Sequence, residues 1–162
     1  MIAQRSGEMS KSLAIISHPF LDAKDGQRDL FIRSKDDSKS QLVPLYDHHE
    51  YDKDPIGTCQ LVFIPILEIG AKKNICLITG LIDCNHDIGE KQAVSVGAPV
   101  IRQVGKYNLY REVLEVSLVD IPHLTGAAIV QLNDFKNVLN VLYLNAPKEM
   151  AQIVKDLNER SS

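Results

Sequence analysis

The chain has 162 residues, of which 44% are hydrophobic and 24% are charged, and this is the composition of an ordinary globular protein. Its formal net charge of -3 does not indicate a nucleic-acid-binding surface, and no apolar run approaches the about 20 residues of a membrane span. The first residues lack the apolar core of a secretion signal. We therefore expect a single domain over residues 1–162, in the cytoplasm and without membrane or nucleic-acid partners.

Short apolar runs bounded by turn-prone residues predict β-strands through most of the chain. They lie at residues 13–17, 30–32, 42–46, 60–69, 74–82, 93–101 and 112–121. Gly70–Asn74 predicts a hairpin turn between two of these strands, and Pro65 requires an edge position or a bulge because it cannot donate a ladder hydrogen bond.

The cysteines are Cys59, Cys76 and Cys84, and they form no C-x-x-C pair. This pattern predicts neither a zinc site nor a disulfide framework, and it fits a reducing compartment. Cys59 and Cys76 lie inside apolar runs, so we predict that both are small buried hydrophobic residues.

The C-terminal part changes to helical spacing, and we predict helices within residues 133–159. Asn133 or Asp134 can cap the first helix. Pro147 opens the second helix, which carries one apolar stripe. The stripe consists of Met150, Ile153, Val154 and Leu157.

The predicted strand at 112–121 places a carboxylate among apolar residues. Alternation puts Leu114, Val116 and Leu118 on one face, and Glu115 with Ser117 on the other. A carboxylate on a half-buried strand face requires a partner, which makes Glu115 a candidate functional residue.

Two upstream segments supply the residue types that a serine hydrolase requires beside an acid. PLYDHHEYDKDPIG at 44–57 contains His48 and His49, and VSVG at 94–97 contains Ser95. On an extended segment adjacent histidines face opposite sides, so only one of the two can serve as the base. A nucleophile, a base and an acid on three separate segments can meet only in the folded domain.

These segments resemble the prohead proteases of tailed bacteriophages, whose fold is shared with the herpesvirus assemblin proteases. The histidine segment with its P-I-G turn, the VSVG segment and LEVSLVDIP at 114–122 each resemble a family motif. TGAAIVQL at 125–132 is similar to the small residues and apolar strand that follow, so the resemblance covers residues 42–132. It implies an α/β protein whose mainly antiparallel, barrel-like sheet is flanked by helices.

The resemblance implies that Ser95 is the nucleophile, that His49 is the general base and then the acid, and that Glu115 orients the imidazole. For the general base, His48 remains open as an alternative to His49. For the third member, the acids Glu112 and Asp120 remain open. The herpesvirus relatives use a second histidine at this place, so His86 and His123 remain open as well. For the oxyanion hole or substrate binding the candidates are backbone amides near Ser95–Ala98, with Gly97, and the side chains of Arg102 and Arg111.

The implied activity is that of a serine endopeptidase which cleaves scaffolding protein, the major capsid protein and itself inside the assembling prohead in the host cytoplasm. We expect a homo-oligomer with no cofactor. The polar cluster at 47–54 has no H-E-x-x-H pattern and predicts a solvated loop rather than a metal site. The alternatives are a non-catalytic capsid or scaffold-associated protein of the same fold, and an esterase, which the absence of G-x-S-x-G argues against.

Overall fold

The computed structural model describes residues 10–84, 93–124, 127–130, 136–137, 140 and 146–161. Strands dominate these ranges, and one helix with defined bounds follows them, α1 (Ala146–Ser161). The strands are β1 (Ser10–Ser17), β2 (Arg28–Ser34), β3 (Ser40–Asp47), β4 (Gly57–Ile69), β5 (Lys73–Cys84), β6 (Ala93–Gly97), β7 (Arg102–Val104), β8 (Tyr107–Tyr110), β9 (Glu115–Val119) and β10 (Ala128–Val130).

The sheet closes on itself because β1 pairs with both β10 and β5. The closed ring has seven strands in the order β1, β10, β6, β9, β3, β4 and β5, and β2, β8 and β7 extend from β5 as an open wing. The β2–β8 and β3–β9 pairs are parallel and the other pairs are antiparallel. The predicted mixed, mainly antiparallel, barrel-like sheet is confirmed.

The barrel interior is filled by alternate residues of the strands, since successive side chains point to opposite faces. Cys59 and Leu61 of β4 and Val116 and Leu118 of β9 belong to this core. Burial raises the pKa of the Cys59 thiol to about 12. Cys76 is also buried, so both cysteines are buried as predicted.

A second apolar layer lies between α1 and the outer face of the wing. Met150 and Ile153 pack with Leu30, Leu77 and Tyr107. Pro147 is the second residue of the helix, where its missing N–H costs no intrahelical bond. The predicted apolar stripe is thus correct, whereas most of the helix predicted from Asn133 lies outside the described residues. Within those residues, no helix is long and apolar enough to cross a membrane.

Two residues of β4 determine how this strand pairs with β5. The β4–β5 register shifts between Pro65 and Leu67, which is the irregularity that the proline predicted. Gly57, the glycine of the P-I-G turn, lies so close to β5 that an added Cβ would be 2.1 Å from the carbonyl oxygen of Asp83. The turn therefore requires glycine for a steric reason.

Some predicted boundaries are wrong. The run at 112–121 forms only β9, so Leu114 precedes the strand and is exposed instead of sharing a face with Val116. The run at 93–101 forms a strand only to Gly97. Strands β7 and β8 were not predicted, because they are only three and four residues long and a Gly-Lys turn separates them.

Candidate catalytic site

Glu115 is a buried carboxylate on the outer face of β9, with 4% of its surface exposed. Its Oε1 lies 2.7 Å from Nδ1 of His49 and accepts a hydrogen bond of 2.8 Å from the Tyr51 hydroxyl. Its Oε2 accepts a hydrogen bond of 2.9 Å from the Ser117 hydroxyl. The sequence indicated that this carboxylate needs a partner, and the structure provides three. They are His49 and Tyr51, on the segment after β3, and Ser117 of β9.

His49 is held by a turn that Ser117 supports. The backbone N–H of His49 donates to Ser117 Oγ over 3.0 Å, and the N–H of His48 donates to the carbonyl of Leu118 over 2.9 Å. Both histidines have left-handed backbone, with φ of 48° at His48 and 57° at His49. Such a conformation costs on the order of 1–3 kcal/mol per non-glycine residue, so neighbouring interactions have to maintain it. The expected extended geometry is wrong, because β3 ends at Asp47.

The contact with Glu115 selects one tautomer of His49. An ionised carboxylate only accepts hydrogen bonds, so the proton of the neutral ring belongs on Nδ1. Nε2 is then the basic nitrogen, on the side of the ring away from Glu115. This is the protonation pattern of a histidine that is oriented by an acid and takes a proton from a nucleophile.

Ser95 lies on the neighbouring strand at the level of the cluster. In the antiparallel β6–β9 pair, Ser95 is directly opposite Ser117, and Gly97 is opposite Glu115. Directly opposed residues share a face, with Cβ atoms about 4.5–5.5 Å apart. Ser95 is half-buried. The register therefore brings Ser95 to the face of the sheet that carries Glu115 and Ser117.

Gly97 has a steric role in this arrangement. A Cβ at this position would lie 2.2 Å from Oε1 of Glu115 and 2.9 Å from its Cδ. The Glu115 carboxylate thus occupies the space that any other residue at position 97 would fill. The structure supplies this role for Gly97, where the sequence had suggested a part in an oxyanion hole.

Replacing Gly97 by alanine is expected to destabilise the fold, because the Glu115 carboxylate must move and give up its partners. Overpacking of this kind costs about 1–3 kcal/mol, which urea unfolding can measure. The double variant Gly97→Ala/Glu115→Ala is the matched control, since it removes the clashing group. If the two substitutions were simply additive, the close approach would not be the cause.

His48 has its own acidic partners and points away from Glu115. Its Nδ1 is 2.8 Å from Asp47 Oδ1, and its Nε2 is 3.3 Å from Asp120 Oδ2. Potential ligand atoms of Asp47, His48 and Glu50 also lie within 4.8 Å of one another. Exposed acidic groups commonly cluster in this way without an ion, and the pairing of His48 with Asp47 and Asp120 accounts for the arrangement. The structure thus brings His49 to Glu115 and His48 to Asp120.

The remaining candidates lie in other surroundings. Glu112 is exposed before β9, and His86 lies outside the described residues. Arg102 is exposed on β7, and Arg111 pairs with Asp37 at 2.7 Å. His123 Nε2 lies 3.8 Å from Asp25 Oδ2.

His123 also lines a cavity of about 90 Å³ together with Ser95, Asp29 and Tyr110. Burial is the main cause that raises the pKa of the Asp29 carboxyl in this cavity. Most of the other residues that line this cavity are apolar, so Ser95 borders a second environment that differs from the polar cluster around Glu115.

Sequence reasoning gave no role to Tyr51 or Ser117. Tyr51 is 58% exposed as a whole residue, but its hydroxyl reaches the buried Glu115 carboxylate. The loss of solvent around this hydroxyl and its hydrogen bond to Glu115 raise the pKa of Tyr51 to about 12. Ser117 is fully buried, and it lies two residues after Glu115 on the same strand face. That spacing was a usable indication for Ser117. Nothing in the sequence distinguishes Tyr51 from other loop tyrosines.

No family model matches this chain, and neither does a curated protein or a solved structure. A function for the chain is therefore inferred from the geometry around Glu115 and from the sequence motifs.

Proposed function

We propose that this chain is a serine endopeptidase with Ser95 as nucleophile, His49 as general base and Glu115 as the acid that orients the imidazole. The observation that supports this best is the 2.7 Å contact between His49 Nδ1 and Glu115, next to a strand register that puts Ser95 on the same face. A buried carboxylate paired with a histidine is the arrangement that lets an imidazole activate a serine hydroxyl near neutral pH.

In the proposed reaction, Ser95 Oγ attacks the carbonyl carbon of the scissile peptide while its proton passes to His49 Nε2. The Glu115 carboxylate balances the charge of the imidazolium. The imidazolium then gives the proton to the leaving amine as the C–N bond breaks, which leaves an ester on Ser95. Water attacks this ester while His49 takes a proton from it. The imidazolium then returns that proton to Ser95 Oγ as the acyl C–O bond breaks, which releases the carboxylic acid and restores the free enzyme.

Ser117 and Tyr51 are positioning residues in this proposal. Ser117 links the backbone of His49 to the carboxylate of Glu115 by two hydrogen bonds through a single oxygen. Tyr51 donates to the oxygen of Glu115 that also faces His49. Fixed partners keep the imidazole and the carboxylate aligned during proton transfer, which reduces the reorganisation required in the transition state.

The substrates that we propose come from the resemblance to prohead proteases. They are the scaffolding protein and the major capsid protein of a tailed phage, together with the protease itself, in the host cytoplasm inside the assembling prohead. The resemblance of PLYDHHEYDKDPIG, VSVG and LEVSLVDIP to motifs of the prohead proteases is what supports this substrate class. A homo-oligomeric state and a helix-flanked, assemblin-like arrangement belong to the same proposal.

The direct test is labelling with a fluorophosphonate, which reacts with activated serine hydroxyls. We expect one adduct per chain by intact mass, and peptide mapping should place it on Ser95. Ser40→Ala is a matched control because Ser40 is an exposed serine on β3. Labelling should persist in that control and disappear in Ser95→Ala and His49→Ala. Absence of labelling in the wild type would favour the non-catalytic capsid component. Labelling unaffected by Ser95→Ala would show that Ser95 is not the nucleophile.

A further inference from the structure

A groove crosses β5 and the wing on the face that α1 partly covers. Two cavities of about 390 Å³ and about 300 Å³ form it, and each has the size of a small-molecule site. The cavities share four wall residues, one from each of β5, β2, β8 and β7, which are neighbours in that order in the sheet: Lys73, Ile32, Leu109 and Arg102. The groove therefore lies across the strands and not along the edge of the sheet.

Strand register puts the side chains around the groove on one face of the sheet. Lys73 is directly opposite Ser34 of β2. Arg102 is opposite Leu109, which in turn is opposite Leu30 of β2. Ser34 and Leu30 are four residues apart on that strand, so their side chains point to the same side. Leu30 belongs to the apolar layer under α1, so the groove is the part of this face that the helix leaves open.

The larger cavity is mainly apolar. Its further walls include four hydrophobic side chains, two of them from α1: Ile69, Val104, Val154 and Leu157. The one acid among the described residues that line it is Glu68, whose carboxylate forms an ion pair with Lys35. Because that charge is balanced and the other walls are largely apolar, the larger cavity suits an apolar group.

The smaller cavity is positively charged. Among the described residues in its walls there is no acid, but there are three cations and a hydroxyl: Lys73, Arg102, Arg111 and Ser34. Asp37 balances the charge of Arg111, with 2.7 Å between Arg111 Nη2 and Asp37 Oδ1. Within the described ranges Lys73 and Arg102 have no ion-pair partner, and both are exposed. Two cations without a counter-ion favour an anion in this cavity.

We propose that the groove binds a small amphipathic anion, a carboxylate or a phosphate that carries an apolar chain. Its anionic group lies in the smaller cavity, where Lys73 and Arg102 balance the charge and the Ser34 hydroxyl donates a hydrogen bond. Its chain lies in the larger cavity. Ile32 and Leu109 border both cavities, so an apolar floor runs beneath the ligand. The inference goes beyond the proposed protease function and does not depend on it, because the groove residues are separate from the cluster around Glu115.

Titration of the isotopically labelled chain, followed by two-dimensional NMR, tests the proposal and shows where a ligand binds. The probes are octanoate and octyl phosphate, kept below the concentrations at which they form micelles. Acetate and inorganic phosphate are the controls without the chain, and octanol is the control without the charge. We expect saturable shifts of groove residues with octanoate and with octyl phosphate, and binding that weakens with added salt. Each control should bind at least about tenfold more weakly, since each lacks one half of the contact.

Variants separate the two halves of the site. Arg102→Glu and Lys73→Glu should each weaken octanoate binding about tenfold or more, because a charge reversal replaces attraction by repulsion. Their matched control is Lys39→Glu, an equal charge change at an exposed lysine that does not border the groove. Leu157→Ala shortens an apolar wall of the larger cavity and should weaken octanoate binding severalfold. Its control is Leu42→Ala, at an exposed leucine of β3, which should bind octanoate like the wild type.

The proposal is wrong if neither amphiphile gives saturable shifts, or if the shifts lie outside the groove. It is also wrong if octanol binds as tightly as octanoate, or if Lys39→Glu and Arg102→Glu weaken binding equally. Equal binding of acetate, inorganic phosphate and the two amphiphiles would show a general anion site without an apolar half, which also contradicts the proposal. Binding of only one amphiphile would uphold the site and identify its anionic group. Circular dichroism of each variant verifies that the substitution leaves the fold intact.

Discussion

Replacement of Ser95 by alanine is expected to abolish processing of the scaffolding and capsid proteins when they are co-expressed with this chain. Without the hydroxyl no acyl-enzyme forms, and loss of a nucleophile in a catalytic unit of this type costs on the order of 10⁶ in rate. Intact mass of the co-expressed proteins measures the outcome, and the termini of the products identify the cleavage sites.

Ser40→Ala is the control for this experiment, because it removes an exposed hydroxyl from β3 while Ser95 is retained. Its products should match those of the wild type. If the scaffolding and capsid proteins assemble but remain uncleaved in the presence of the wild type, the protease proposal is wrong and the chain is a structural capsid component. Products that persist in Ser95→Ala would assign the cleavage to another protease or to another residue of this chain.

The adjacent histidines provide the second large effect. His49→Ala is expected to lower cleavage by on the order of 10⁴–10⁶, because it removes the base that takes the Ser95 proton. His48→Ala should retain far more activity, since His48 pairs with Asp47 and Asp120 instead of Glu115. The cleavage rate of one peptide substrate, measured for both variants at the same enzyme concentration, gives the comparison.

Glu115→Gln extends the same test, because the amide retains the shape of the side chain but not its charge. A loss of on the order of 10⁴ in kcat is expected, since an amide can also favour the wrong tautomer of His49. Asp120→Asn is the matched control on the His48 side, and it should have a small effect. If His48→Ala and Asp120→Asn were the damaging pair, the catalytic histidine would be His48, and the role proposed for Glu115 would be wrong.

Alternation within a strand could be predicted without the fold, because it depends only on backbone geometry. It placed Glu115 and Ser117 on the opposite face of the strand from Val116, and it explains why Cys59 points into the core. The proline at position 147 and the helical stripe behind it follow in the same way from local backbone preferences. The strands β7 and β8 were missed because cross-strand pairing, of β8 with β2 and of β7 with β8, holds these short segments in the sheet.

Contacts between segments that are distant in the chain could not be predicted from local sequence patterns. The choice between His48 and His49 depends on two left-handed residues after β3, which Ser117 and Leu118 of β9 hold in place. Tyr51 reaches Glu115 only because the turn folds back over β9. The need for glycine at position 97 arises from a side chain on the neighbouring strand.

The sequence by itself determined a strand-rich chain with a C-terminal helix. It also indicated a serine, a histidine pair and a glutamate as candidate catalytic residues. These properties follow from composition, alternation and motifs, which are local. Only the tertiary structure decided that β1 closes the barrel, that Ser95 stands opposite Ser117, and that His49 meets Glu115. Strand register and turn geometry set those relations, because they join residues that are distant in the chain through cross-strand hydrogen bonds and packing.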